Sequence, residues 1–393
     1  MCIHAFGSLR AAVTLALALG TFAPVLGQGQ TYTERVLYSF AGGADGANPL
    51  AGLVRDAAGN LYGTTYDGGA HSYGTVFKVS ANGTEIVLHS FTGGADGGNP
   101  DAGLIRDTAG NLYGTTADGG AHNYGTVFEV SAGVMERVLD SFTGTGGDGA
   151  YPFADLVRDA AANLYGTTVG GGTHNAGTVF KVDPTGKETV LYSFTGGADG
   201  RNPYAGFVLD AAGNLYGTTK YGGASGAGTV FKVDIKGKET VLHNFSGGAD
   251  GEYPSAGLVR DAAGNLYGTT AGGGASGDGT VYKVGTTGKE AVLYSFRGGV
   301  DGEYPYAGLI QDAAGNLYGT TSYGGASGAG TIYKVDTTGK ETVLYGFGGG
   351  ANGASPQAGL VQDAVGNLYG TTKYGGASGA GTVFELSLPQ LPI

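Results

Sequence analysis

Hydrophobic residues recur along this chain in short runs of five to seven, with a period that suits strands and not helices. In the stretch Ala205–Phe245, AGFVLD and NLYGTT flank a tight Ala-Ala-Gly turn, giving two extended runs that read as a hairpin. GTVFKVD (Gly228–Asp234) and ETVLHNF (Glu239–Phe245) follow around the turn Ile-Lys-Gly, and in the second of these Val241, His243 and Phe245 alternate with polar or outward positions. This reads as a second hairpin. No window outside the first thirty residues supports a helix of useful length.

The unit repeats. NLYGTT begins at Asn60, Asn111, Asn163, Asn214, Asn265, Asn316 and Asn367, spaced by 51 or 52 residues. Four short antiparallel strands per repeat match a propeller blade, and a period this long points to a propeller or a solenoid. The ends decide between them. A fourth-strand string, VLYSF at Val36–Phe40, precedes the first full repeat, while the last repeat stops after its third strand, GTVFEL at Gly381–Leu386. A ring explains this, because pairing Glu34–Phe40 with Gly381–Leu386 completes blade seven and removes an exposed edge. The predicted fold is therefore all-β: a seven-bladed β-propeller of four-stranded antiparallel blades, closed between the N-terminal strand and the last blade.

The recurring strings AGLVRDAAGNLYGTT, GGA, GTVFKV and GKETVLYSF resemble the GloVer (Gloeobacter/Verrucomicrobia) tandem repeat of exported bacterial proteins, and the resemblance runs from Val36 to about Leu386. It implies an exported repeat protein, often with a C-terminal sorting or anchoring segment, which the closing LSLPQLPI does not resemble. It implies no particular activity.

Glycine takes 82 of 393 positions, roughly three times ordinary usage. Collagen is excluded by the lack of a three-residue period, and disorder by 41% hydrophobic residues with only 14% charged. The glycines belong to chain reversals, and they are concentrated in two long loops per blade that emerge on one face. Binding sites usually sit on such loops over a rigid scaffold.

The apolar run Ala11–Gly27 behind Arg10 reads as a secretory leader. The expected division is a signal peptide over 1–27, a short linker over 28–33, the propeller over 34–388 and a tail over 389–393, with the mature chain secreted to the periplasm or cell exterior and carrying no membrane span. Cys2 lies in the leader, so disulfides and cysteine metal sites are excluded from the mature chain. A net charge of −12 without a basic cluster argues against nucleic acid.

Four sets of residues are candidates for chemistry. Asp45, Asp96, Asp148, Asp199, Asp250 and Asp301 recur in Gly-rich loops and are weak calcium candidates, with turn capping the simpler reading; Asn352 takes the seventh place. The regular series headed by Asp56 reads as turn-forming. His71, His122 and His174 share one loop position and read as solvated rather than zinc-binding. The loop positions that vary between copies are rich in tyrosine and acid: Tyr66, Asp67, Tyr73, Asp118, Tyr124, Tyr204, Tyr221, Tyr304, Tyr323 and Tyr374. Tyrosine joins a flat apolar face to a hydroxyl, which suits sugar rings or protein surfaces.

No catalytic motif appears. The expectation is a monomeric ring that needs no cofactor and binds an extracellular glycan or surface protein through its glycine- and tyrosine-rich face. The alternatives are a polysaccharide hydrolase or lyase using Asp67, Asp118 or Asp278, and a structural component of the cell envelope.

Overall fold

The structure, a computed structural model, describes residues 32–388. The leader over 1–27, all but the last two residues of the linker and the tail over 389–393 lie outside the described residues.

Seven four-stranded antiparallel sheets surround one axis. Blade one is representative: Val54–Arg55 is innermost, followed outward by Leu61–Thr65, Thr75–Val79 and Glu85–Ser90. Blade seven is assembled from both ends of the described chain. Thr33–Ser39 supplies its outer strand and pairs with Thr382–Ser387, with Glu34 opposite Leu386 and Val36 opposite Phe384. The closure read from the strand count is the one observed.

The first strand differs from its expected length. AGFVLD looks like a six-residue strand, yet only Val208–Leu209 pairs with its neighbour. The preceding residues leave the ladder to turn into the axis, which the functional geometry below depends on.

The core lies between blades. Val76 and Phe77 point to opposite faces of their sheet, and both are fully buried because each face is covered by a neighbouring blade. Phe40, at the end of blade seven's outer strand, packs edge-to-face on Phe77 of blade one, 5.1 Å between centroids. The same contact joins Phe91 to Phe128, Phe142 to Phe180, and so on around to Phe347 with Phe384 at 5.3 Å. Such pairs add roughly 0.5–1.5 kcal/mol each beyond area burial.

The hexapeptide NLYGTT recurs because each residue has a separate task. Asn60 Nδ2 and Tyr62 Oη both donate to Asp56 Oδ2, at 2.7 and 3.0 Å. Asp56 Oδ1 accepts the backbone N–H groups of Ala58 and Asn60, so the regular aspartate is the hairpin's own cap. A Cβ on Gly63 would stand 2.7 Å from Phe77 Cζ, so the glycine makes room for that ring. Thr64 Oγ1 donates to the carbonyl of Ala102 in the next blade at 3.0 Å, and its counterparts continue around to Thr371, which donates to Ala51 at 3.2 Å. Thr65 Oγ1 bonds Thr75 Oγ1 across the sheet.

Candidate functional site: the axial mouth

Each long loop ends in a proline, and the residue before it has a positive φ in all seven blades: Asn48, Asn99, Tyr151, Asn202, Tyr253, Tyr304 and Ser355, from 52° to 59°. This conformation is costly for tyrosine. Hydrogen bonds on both sides hold it. The N–H of Asn48 donates to Ala380 in the previous blade at 2.8 Å, and its carbonyl accepts from Tyr66 N at 3.1 Å. The turn sends the following segment inward, so the residue after the proline faces the axis.

That residue is Leu50, Asp101, Phe153, Tyr204, Ser255, Tyr306 or Gln357 in blades one to seven. All seven line a cavity of about 350 Å³ centred on the axis at the glycine-rich face. One residue further is an unbroken alanine ring, and beyond it the series Gly52, Gly103, Asp155, Gly206, Gly257, Gly308, Gly359. A second axial cavity of about 330 Å³ continues from this ring inward. The mouth is thus where near-identical repeats differ most, while the rings beneath it are uniform except at Asp155.

Asp155 opens to the lumen yet has the ring on every side of it. Burial raises its carboxyl above the ordinary carboxylate value, and the Gly103 N–H works against that shift. Asp101 is likewise raised by burial, to about 6, with Lys373 lowering it and Asp155 raising it. Lys220 lines the same cavity, its Nζ 4.9 Å from the centre of the Tyr204 ring. Phe153 and Tyr204 lie 5.7 Å apart on adjacent blades. Aromatic faces, two carboxyls and one ammonium group therefore converge on one concave site.

The loop residues singled out by sequence fall into two groups. Tyr204 lines the axial cavity, and Tyr66, Asp67 and Tyr374 line an adjoining cavity of about 470 Å³ together with Asp101 and Lys373. Asp67 also accepts from Asn48 Nδ2 at 2.8 Å. The others pack within the loops. Tyr73 and Tyr124 lie over Gly93 and Gly144, where a Cβ would collide with their rings. Tyr221 packs on Tyr253 at 5.3 Å beneath Arg201, and Tyr304 stands between Tyr306 and Tyr323. Asp118 is joined through its backbone to Gly98, and burial raises its carboxyl. Asp278 sits beside Gly298 in the outer loop.

Each of the six calcium candidates accepts hydrogen bonds from its own loop, although among the described residues Asp301 Oδ1 is buried without a partner. Asp45 Oδ2 accepts from Tyr38 Oη and Ala41 N at 2.9 and 2.6 Å, and Asp199 Oδ2 from Tyr192 Oη and Thr195 N. Asp96 and Asp250 bond the residue four before them, while Asp148 and Asp301 cap Thr143 and Arg297. A calcium ion would have to displace these donors. Among the described residues no group of three or more His, Cys, Asp or Glu side chains is arranged to hold a metal. His71, His122 and His174 are exposed.

Asp101, Phe153 and Asp155 are the site residues that sequence reasoning passed over. The available signal was departure from the repeat: ADLVRD in place of AGLVRD, and seven positions after the proline holding six different residue types.

Fold and site define a tandem-repeat seven-bladed propeller with a single chemically distinctive axial mouth. The chain belongs to the Gloeobacter/Verrucomicrobia repeat family, whose pattern matches residues 19–208, 132–313 and 287–390. No curated protein matches it. Among solved structures it is similar to the extracellular domain of a candidate one-component system from B. thetaiotaomicron, with 10% identity, TM-score 0.55, and 90% of this chain and 39% of that chain covered. This chain therefore spans well under two thirds of that protein's length. It is also similar to a candidate 6-phosphogluconolactonase from Bacteroides uniformis, with 15% identity, TM-score 0.49, and 87% and 96% covered. A protein of unknown function from Dyadobacter fermentans matches at 10% identity and TM-score 0.49, with 92% and 100% covered. At 10% identity the likeness to the extracellular domain concerns the fold alone.

Proposed function

We propose that this is an exported binding protein that takes a carbohydrate at the axial mouth of its glycine-rich face. One observation carries the reading: variation between the repeats gathers on the axis, in a ring holding Phe153, Tyr204 and Tyr306 beside Asp101, Ser255 and Gln357. Stacking faces surrounded by mixed donors and acceptors suit a pyranose, which has an apolar face and hydroxyls at its edge. Export rests on the N-terminal leader pattern.

The test is a glycan array followed by titration of the chain from residue 28 onward. Tyr204→Ala and Tyr306→Ala should each weaken the best ligand by about tenfold or more, and Tyr73→Ala should leave it unchanged. A blank array with correctly folded protein would overturn the proposal.

Asp101 and Asp155 in one cavity also support a second reading, hydrolysis of a glycosidic bond by paired carboxyl groups. Release of reducing sugar from any bound oligosaccharide, abolished in Asp101→Asn and Asp155→Asn, would establish it. Binding without release would dismiss it.

A further inference from the structure

The axial space is divided at one level by one side chain. Six repeats place glycine there and the third places Asp155, which borders both the outer chamber and the inner one. Its Oδ1 accepts the N–H of Gly103 across the junction of blades two and three at 2.5 Å. On its other side the segment presses on Gly206, where an added Cβ would stand 2.8 Å from the Asp155 carbonyl oxygen. The carboxyl is therefore anchored on blade two, while the backbone of the same residue packs closely against blade four. Among the described residues Oδ2 has no hydrogen-bond partner, and it borders the lumen.

We propose that the outer axial chamber is a single end-on site for the terminal sugar of a glycan, with Asp155 as its polar floor and Asp101 as the second hydrogen-bonding group. This rests on the carbohydrate reading above and adds stoichiometry and direction to it. The mouth is bounded by all seven blades, so a polysaccharide lying across it meets the variable ring but does not reach Asp155 two residues further in. A chain end does. Phe153, Tyr204 and Tyr306 offer flat faces along the way. Because Gly103 occupies Oδ1 as an acceptor, a proton on this carboxyl belongs on Oδ2, which then donates into the chamber. The ring of backbone around the carboxyl favours that protonated form although the side chain itself is open to the lumen, while Asp101, with Lys373 supporting its charge, accepts. A donor and an acceptor at neighbouring depths match two adjacent hydroxyls of one terminal ring. The repeat architecture would suggest seven equivalent sites, but the chemistry sits on the axis, where there is room for one.

The experiment is calorimetric titration of the chain from residue 28 onward with gluco-, manno-, galacto- and chito-oligosaccharides of increasing length, each free and with its non-reducing terminus blocked. The expected result is one oligosaccharide per ring, affinity that levels off after the first few units, and a loss of about tenfold or more on blocking. Asp155→Gly should weaken binding by about the same factor; it copies the residue of the other six repeats, and its folding is checked by thermal unfolding. Asp155→Asn, which retains a donor, should bind better than Asp155→Gly. Several sugars per ring, indifference to blocking, or unchanged affinity in Asp155→Gly would overturn the end-on site and leave carbohydrate binding standing. Failure of every oligosaccharide to bind would overturn both.

Discussion

Asp155 Oδ1 lies 2.5 Å from the backbone nitrogen of Gly103, so a side chain of blade three is anchored on the main chain of blade two where the two axial cavities meet. Enclosure by the ring raises the Asp155 carboxyl above its ordinary value although the side chain is open to the lumen, and the Gly103 N–H works against that shift. The folded state therefore holds this proton more tightly than the unfolded state. Its stabilising contribution is complete below the unfolded value of 3.8 and is lost as pH rises through the folded value. Asp155→Gly removes the group, so its melting temperature should gain on the parent as pH is raised from about 4 to about 8. Calorimetry across that range checks it, and a difference independent of pH would show that the carboxyl is not desolvated.

A similar argument applies on a larger scale at the outer rim. Glu85, Glu136, Glu239, Glu290 and Glu341 each open a fourth strand, and burial followed by repulsion from Asp45, Asp96, Asp199, Asp250 and Asp301 of the preceding blade raises each to about 7. Their Oε1 atoms are buried without partners. Stability should therefore decline as pH rises from the unfolded value of 4.5 through about 7. The hairpin aspartates headed by Asp56 act in the opposite sense. Burial alone would raise Asp56, but bonds from Asn60, Tyr62 and Ala58 outweigh it and lower the group, so its contribution is present above 3.8 and lost in acid. Melting temperature should thus peak between those two unfolded values. Replacing Glu85 and Glu290 by Gln should flatten the alkaline side only.

One junction breaks the rim pattern. In blades three, five and seven a fourth-strand tyrosine donates to the loop aspartate, as Tyr192 does to Asp199 at 2.9 Å, Tyr294 to Asp301 and Tyr38 to Asp45. Blade two has Asp140 in that place, facing Asp148, and burial followed by that repulsion raises Asp140 to about 6. Glu188 nearby is raised to about 8 by burial, Asp148 and Asp140. Asp140→Tyr restores a hydrogen bond and removes a like charge. It should stabilise the ring by about 1 kcal/mol at neutral pH, measured by denaturant unfolding, and bring Glu188 down toward its neighbours. Destabilisation would mean that the space near Asp148 does not admit the ring.

The blades and their closure were legible because they depend on repetition, and seven copies of NLYGTT state the same packing problem seven times. The rim and the axis were much less so. Glu85 and Asp45 lie forty residues apart on different blades, and only the angle between blades brings them close. Tyr73 and Tyr124 stood out because they vary, and the packing of their rings over the positive-φ glycines 93 and 144 was not visible in the sequence. Asp101 and Asp155 looked like ordinary substitutions in a loop and an inner strand. Their importance follows from position on the axis, which is set by the turn at Asn99 and Tyr151 and by the closure of the ring.

That closure separates two kinds of contact between the same strands. Arg35 Nη2 lies 2.6 Å from Glu385 Oε2, with the arginine 60% exposed. An exposed ion pair of this kind contributes roughly 0–1 kcal/mol after screening. Phe40, at the end of the same N-terminal segment, is fully buried between Tyr38 and Phe77 and belongs to the cluster containing Leu61, Val79 and Val383. Its truncation opens a cavity beside the pairing of Thr33–Ser39 with Thr382–Ser387, the closure that only hydrogen bonds and packing hold. Phe40→Ala should cost about 3–5 kcal/mol in denaturant unfolding, while Arg35→Ala should cost under about 1 kcal/mol and less still in high salt. The ring should also open there first. Amides of Thr33–Ser39 should exchange with deuterium sooner in Phe40→Ala than in the parent, ahead of the matching strand Glu188–Ser193 in blade three, whose connections are continuous. Equal exchange in the two strands would show that the closure is no weaker than the covalent junctions and that the burial of Phe40 is not what holds it.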